Sequence, residues 1–163
     1  MTEDRQIQFR VHADWQPDAA TFNQLLELFE QTAFWAKNRR SEDWRIAIAN
    51  SKPIVTVWDH DRLIGFARAT SDGIFRATIW DVVIHSDYQG AGLGRKLVET
   101  VLMHPHVNSV ERVYLMTTHQ QKFYERIGFQ PNSTTTMVLH NQPISQAHLP
   151  MAIESHRSTL KGC

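Results

Sequence analysis

The sequence predicts a single α+β domain, a mixed sheet of about seven strands with helices on its flanks. Three observations carry that prediction. Between residues 54 and 85, three strand-like apolar runs follow one another with only short polar turns between them. Beyond residue 88 the pattern changes to a glycine-rich turn, a helix, a buried strand and another helix. A length of 163 residues suits one domain with a sizeable core. The sheet should therefore be antiparallel first and gain parallel β-α-β pairing later.

The elements follow in order. Ile7, Phe9 and Val11 alternate as in a first strand. Pro17 opens a helical pattern that puts Phe22, Leu25, Leu26 and Phe29 on one face. Ser41 caps a second helix through Asn50, with Trp44 and Ile48 one turn apart. Ile54–Trp58, Leu63–Thr70 and Ile74–His85 are joined by Asp59-His60-Asp61-Arg62 and Ser71-Asp72-Gly73, the texture of a β-meander. The turn Gln89–Gly94 leads into a helix over Leu93–Met103 with Leu97 and Val101 inward, and Pro105 stops it. Val113–Met116 reads as a buried strand, Gln120–Ile127 as a helix ended by Gly128, and Thr134–Leu139 as a late strand. The domain is expected to span residues 1–140. Residues 141–163, polar and with two prolines, read as a tail or an arm against a partner subunit, compatible with a homodimer.

Composition removes several function classes. Lys+Arg and Asp+Glu both number 17, so no basic footprint points to nucleic acid or an anionic membrane. No apolar run approaches the ~18 residues of a membrane span, and the N-terminus is too polar for a secretory signal. The one cysteine, Cys163, cannot form an internal disulfide, and no cysteine cluster supplies a structural zinc site. The His104-Pro-His106 pair lacks a third ligand nearby, so no metal is expected. A reducing cytoplasm is the expected location.

The informative stretch is Ala77–Val98, where a strand runs through Gln89-Gly90-Ala91-Gly92-Leu93-Gly94-Arg95 into a helix. Glycines let backbone N–H groups converge without Cβ obstruction, and a helix N-terminus adds roughly half a positive charge. That pair of features suits a pyrophosphate. The spacing is not Gly-x-Gly-x-x-Gly, which counts against a dinucleotide fold, and with no Gly-Lys-Ser/Thr the P-loop reading fails. A tight turn without a ligand is the remaining alternative.

Gln89, Gly92 and Gly94 after an apolar strand, followed by helix, strand and then Phe-Tyr-Glu-Arg-Ile-Gly-Phe at 123–129, resemble the GNAT acetyltransferase superfamily over residues 45–140. The runs 63–73 and 77–83 look more specifically like its plastid and cyanobacterial branch, which includes plant serotonin N-acetyltransferases that also act on protein lysines. The resemblance implies an N-acetyltransferase that moves acetyl directly from acetyl-CoA to a primary amine. An arylalkylamine such as serotonin or tryptamine is favoured, with protein lysine or N-terminal amines as the alternative substrates. A non-catalytic acetyl-CoA-binding module is the second alternative.

Residue by residue, the resemblance implies that Val82, Val83 and Ile84 offer backbone groups to the pantetheine arm and thioester. Gln89, Gly90, Ala91, Gly92, Leu93, Gly94 and Arg95 would hold the pyrophosphate. Tyr124 matches the acid that protonates the departing thiolate, unless it is simply an aromatic core residue like Phe123. Asp81 is the candidate general base because a carboxylate interrupts an otherwise apolar strand, a setting that makes carboxylates more basic. Facing solvent or closing a structural hydrogen bond is its other reading, and His85 is the next candidate base. Glu42 and Asp43 are also in reach of a substrate but suit a helix first turn. Phe34, Trp35 and Trp44 would form an aromatic wall for the amine, or pack the helices on the sheet. Thr117 and Gln120 stand where many relatives carry Asn and a small residue, a departure at the pantetheine contact.

Overall fold

The computed structural model describes residues 4–133 and 136–141. The chain divides into two compact units, residues 1–130 and 131–163. The first holds all of the helices and strands found among the described residues. In the second, 131–133 and 136–141 form neither helix nor strand, and Met137, Val138 and Leu139 are exposed.

Strands β1 (Ile7–His12), β2 (Ile54–Asp59), β3 (Arg62–Ser71), β4 (Arg76–Ile84) and β5 (Arg112–Tyr114) form one sheet in chain order. The first three pairings are antiparallel and β4–β5 is parallel. The switch from meander to β-α-β pairing therefore falls where the change of sequence texture puts it. Five strands stand among the described residues, fewer than the seven expected. Of the strand expected over Thr134–Leu139, residues 134 and 135 lie outside the described residues, and 136–139 are in no strand.

Helices α1 (Ala19–Thr32) and α2 (Ser41–Ala49) cover one face of the sheet, and α3 (Leu93–Met103) the other. The Asp18 carboxylate starts α1 by accepting the Thr21 N–H at 2.8 Å. Ser41 is the first residue of α2 rather than its cap. After α3, Pro105 opens the short helix α4 (Pro105–Asn108), since proline fits a first helical turn without losing a hydrogen bond. Helix α5 (Gln121–Glu125) follows β5 and is shorter than its sequence pattern.

Two clusters make the core. On the α1/α2 face, Phe22, Leu25, Leu28, Phe29, Trp44 and Ile48 meet Ile54, Trp58, Leu63, Phe66 and Val83. On the α3 face, Leu97, Val98 and Val101 meet Val55, Val57, Ile64, Ala67, Ile79 and Ile84. Period-two alternation sorts β2 cleanly between the faces, but β4 changes parity midway. Ile79 belongs to the α3 face, whereas Val83, four residues on, belongs to the other. The cause is a bulge. Arg68 pairs with Trp80 and Phe66 with Val83, so one residue of β3 opposes two of β4, and Asp81 sits at φ 54 in the left-handed region.

Candidate active site

Parallel pairing between β4 and β5 lasts only from Arg76↔Arg112 to Thr78↔Tyr114. Beyond it β4 continues to Ile84 while the chain after Tyr114 turns away, so the strands diverge. The gap opens into a cavity of ≈ 640 Å3 walled by Ile79–Ile84 on one side and Leu115–Gln120 on the other, with Phe123 and Tyr124 below. The strand edge left without a β partner here presents backbone N–H and C=O groups to whatever enters.

At one end of the gap lies the glycine turn. Gly90 (φ 83) and Gly92 (φ 77) are both left-handed, and a Cβ at either would meet no heavy atom within 4 Å. Glycine is thus required by backbone conformation, and the space above it is open to a ligand. Gly92 caps α3, whose first-turn N–H groups at Leu93, Gly94 and Arg95 have no acceptor within the helix. Gln89 donates its side-chain amide to the Ile84 carbonyl at 3.0 Å, tying the turn to the end of β4. The Arg95 side chain is held along the surface by Glu99 at 2.7 Å. Ala91 is exposed.

The floor is set by α5. Thr117 Oγ1 accepts the Gln120 N–H at 3.1 Å, which closes the turn that precedes this helix. Tyr124 stands against Phe123 and Phe129 with ring centroids 4.9 and 5.9 Å away, both edge-on. Burial raises its phenol above the ordinary value of 10.0, which keeps the hydroxyl protonated and able to donate. Phe123 lies so close to α3 that a Cβ on Gly94 would sit 3.4 Å from its ring, so α5 packs against the first turn of α3.

The far end is lined by Phe34, Trp35 and Arg39, from the 3-10 turn Phe34–Ala36 and the loop after it, and by Trp80 and Asp81. Phe34 and Trp35 are exposed at 70% and 46% and meet edge to face at 5.2 Å. Trp44 is not with them. It is buried at 3% and stacks on Phe29 at 4.1 Å, because the inward face of α2 carries it into the core. The Asp81 side chain is 5% exposed, and both of its oxygens already accept hydrogen bonds: Arg68 Nε at 2.7 Å, Arg39 Nη1 at 3.1 Å and Trp35 Nε1 at 3.3 Å.

His85 lies off the cavity wall. Its Nδ1 accepts the Asp87 N–H at 3.1 Å and its Nε2 is 3.2 Å from Arg62, so the ring serves the turn after β4. Glu42 and Asp43 sit in the first turn of α2, away from the cavity. His119, Trp80 and Arg39 line the cavity without having stood out in the sequence. Only the divergence of the strands brings them to it, and no local spacing announces that. Among the described residues no group of three or more metal-ligating side chains occurs.

Comparison with known proteins agrees with this geometry. Residues 14–129 match the model of the Acetyltransferase (GNAT) family. An uncharacterized ycf52-like N-acetyltransferase of Prochlorococcus marinus is 46% identical over 94 residues, covering 55% of this chain and 52% of that protein. A chloroplastic serotonin N-acetyltransferase 2 of Oryza sativa is 34% identical over 113 residues, 64% of this chain and 54% of its own length. This chain thus spans about half the length of these curated relatives. Among solved structures, a GNAT-family acetyltransferase of Streptococcus pneumoniae superposes with a TM-score of 0.67 at 22% identity, covering 85% of this chain and 100% of that one.

Proposed function

The chain belongs to the Acetyltransferase (GNAT) family, and on that premise we propose that it moves acetyl from acetyl-CoA to a primary amine by direct transfer in a ternary complex. The observation that carries the reading is the gap between β4 and β5, with an open glycine turn at one end and Tyr124 on its floor. The residues fit the co-substrate. The N–H groups of Gly90 through Arg95 and the α3 N-terminus suit its pyrophosphate, and the free edge at Val82, Val83 and Ile84 suits an amide-bearing arm.

Acetyl-CoA supplies an activated carbonyl: the amine lone pair forms the C–N bond as the C–S bond breaks. Tyr124 gives its phenolic proton to the leaving sulfur, the neutral amine gives up a proton to water as the amide forms, and Tyr124 regains a proton from solvent. The Tyr124 phenol is protonated at neutral pH, and burial keeps it so toward alkaline pH by raising it further above 10.0. Phe34 and Trp35 present exposed rings at the other mouth of the cavity, which favours an acceptor with an aromatic body such as an arylalkylamine.

The test is steady-state release of CoA with serotonin, tryptamine, polyamines and lysine peptides as acceptors, from about pH 6 to 10. Saturable turnover on arylalkylamines is expected. Replacing Tyr124 by Phe should lower kcat by roughly 100-fold or more and leave acetyl-CoA affinity nearly unchanged. Turnover on peptides alone would reassign the acceptor to protein lysines. Tight acetyl-CoA binding without turnover on any amine would mark a regulatory module, and absence of binding would overturn the reading.

A further inference from the structure

We infer that Asp81 is a positioning residue for the acceptor side of the cavity, a latch that holds the Phe34–Arg39 segment in place, and that it is not the base that takes the amine's proton. The inference rests on reading the cavity as an amine-accepting site.

Three parts of the chain meet on this one carboxylate. Arg68 reaches it from β3, Trp35 from the 3-10 turn after α1, and Arg39 from the loop that leads into α2. Arg68 also donates to Ser51 Oγ at 3.2 Å, which extends the network to the end of α2. Arg39 lies over the Trp44 ring at 5.0 Å, so its guanidinium bridges the latch and the helical core. Few other bonds bind the segment to the sheet. Its backbone bonds are local, Ala36 N–H to Ala33 and Arg39 N–H to Ala36, and Phe34 contributes an exposed ring.

The bulge makes the latch possible. Unbulged alternation from Ile79 would point residue 81 at α3. The left-handed conformation at Asp81 turns its side chain to the α1/α2 face, where the two arginines wait. Aspartate is among the few side chains that adopt that conformation readily, and three charge-assisted or polar bonds offset its strain.

The same geometry argues against a base. Both oxygens are bonded to cations, Oδ2 to Arg68 and Oδ1 to Arg39, on a side chain that is 5% exposed. With Trp35 also on Oδ1, three of the carboxylate's roughly four acceptor sites are taken, which leaves little of it to receive a proton through water.

The experiment uses Asp81→Asn, Arg39→Met, Arg39→Lys and Trp35→Phe in the full chain. Hydrogen exchange of residues 33–40 is read with acetyl-CoA absent, alongside kcat, amine KM and the pH profile. Asp81→Asn and Arg39→Met should speed exchange in 33–40 by roughly tenfold, as local opening becomes easier. Both should raise amine KM about tenfold while kcat, acetyl-CoA affinity and the acid side of the pH profile hold. Arg39→Lys should restore most of the loss, and Trp35→Phe should show a smaller KM effect. Arg39→Met keeps the Asp81–Arg68 pair, so it tests the latch even where Asp81→Asn does not fold. A steep fall of kcat in Asp81→Asn, with the acid limb abolished and exchange unchanged, would make Asp81 the base and overturn the latch. Unchanged exchange in Arg39→Met would overturn it as well. If no amine is turned over, the acceptor reading fails, and exchange alone still decides whether Asp81 holds the segment.

Discussion

Replacing Gly92 by Ala separates the roles of the glycine turn. The residue sits at φ 77, where a Cβ costs roughly 1–2 kcal/mol in backbone strain. No heavy atom lies within 4 Å of the added Cβ, so packing adds nothing to that cost. The methyl group enters the open space in front of the α3 N-terminus, where anionic oxygens must approach N–H groups. Losing one hydrogen bond to a charged group is worth about 1.5–3 kcal/mol, a loss of affinity of roughly 10- to 150-fold. Calorimetric titration with acetyl-CoA should show that loss. S-acetylpantetheine, which lacks the pyrophosphate, should keep its KM. Affinity for acetyl-CoA equal to that of the parent protein would refute the reasoning, and so would equal weakening of both thioesters, since the turn would then not be holding phosphate.

Two further perturbations address the scaffold. A Cβ on Gly65 would lie 2.7 Å from Ile84 Cδ1 and 2.9 Å from Val57 Cγ2, between strands in the middle of the sheet. Gly65→Ala should therefore cost roughly 1–3 kcal/mol in urea unfolding, and a neutral effect would show that β2 and β4 yield more than packed strands do. His12 is held below its ordinary 6.5 by burial and then by Arg10. Trp58 donates to Thr56 Oγ1 at 2.8 Å, and His12 Nε2 is hydrogen-bonded to the same oxygen at 2.8 Å. Between the depressed folded value and 6.5 the unfolded chain binds the extra proton. Stability is thus complete above about pH 6.5 and falls as pH drops through the folded value. Thermal melting should show this loss on acidification, smaller in His12→Gln; an identical loss in that variant would exonerate His12.

Much of the fold was legible because the signals were local. Hairpin turns between β2, β3 and β4 are written as short polar breaks, and α3 has both a glycine start and a periodic apolar face. The glycine turn was legible for the same reason, since conformation and residue type coincide at Gly90 and Gly92. Trp44 shows where that reasoning stops. An aromatic residue on a short helix near a site looks the same in sequence whether it faces a ligand or Phe29, and only the placement of α2 on the sheet decides. The late strand shows another limit. Met137, Val138 and Leu139 have strand composition, yet a strand exists only where a neighbour accepts its hydrogen bonds.

Asp81 combines both situations. Its oddity was visible, a carboxylate in an apolar run, and such breaks of pattern gather at functional sites. What the run could not reveal is that the bulge reverses the strand's parity, so that the residue turns from the α3 face toward two arginines. A buried carboxylate open to a substrate and one bonded to two arginines look the same in sequence, and they support different chemistry. On one strand, therefore, the end of β5 at Tyr114 leaves the far edge of β4 without a partner, and the bulge on the β3 side places the Asp81 carboxylate against Arg68, Arg39 and Trp35. Gly94 and Phe123 bring α5 against the first turn of α3. The two ends of the cavity thus share one strand, β4, whose residues Ile79–Ile84 form its wall.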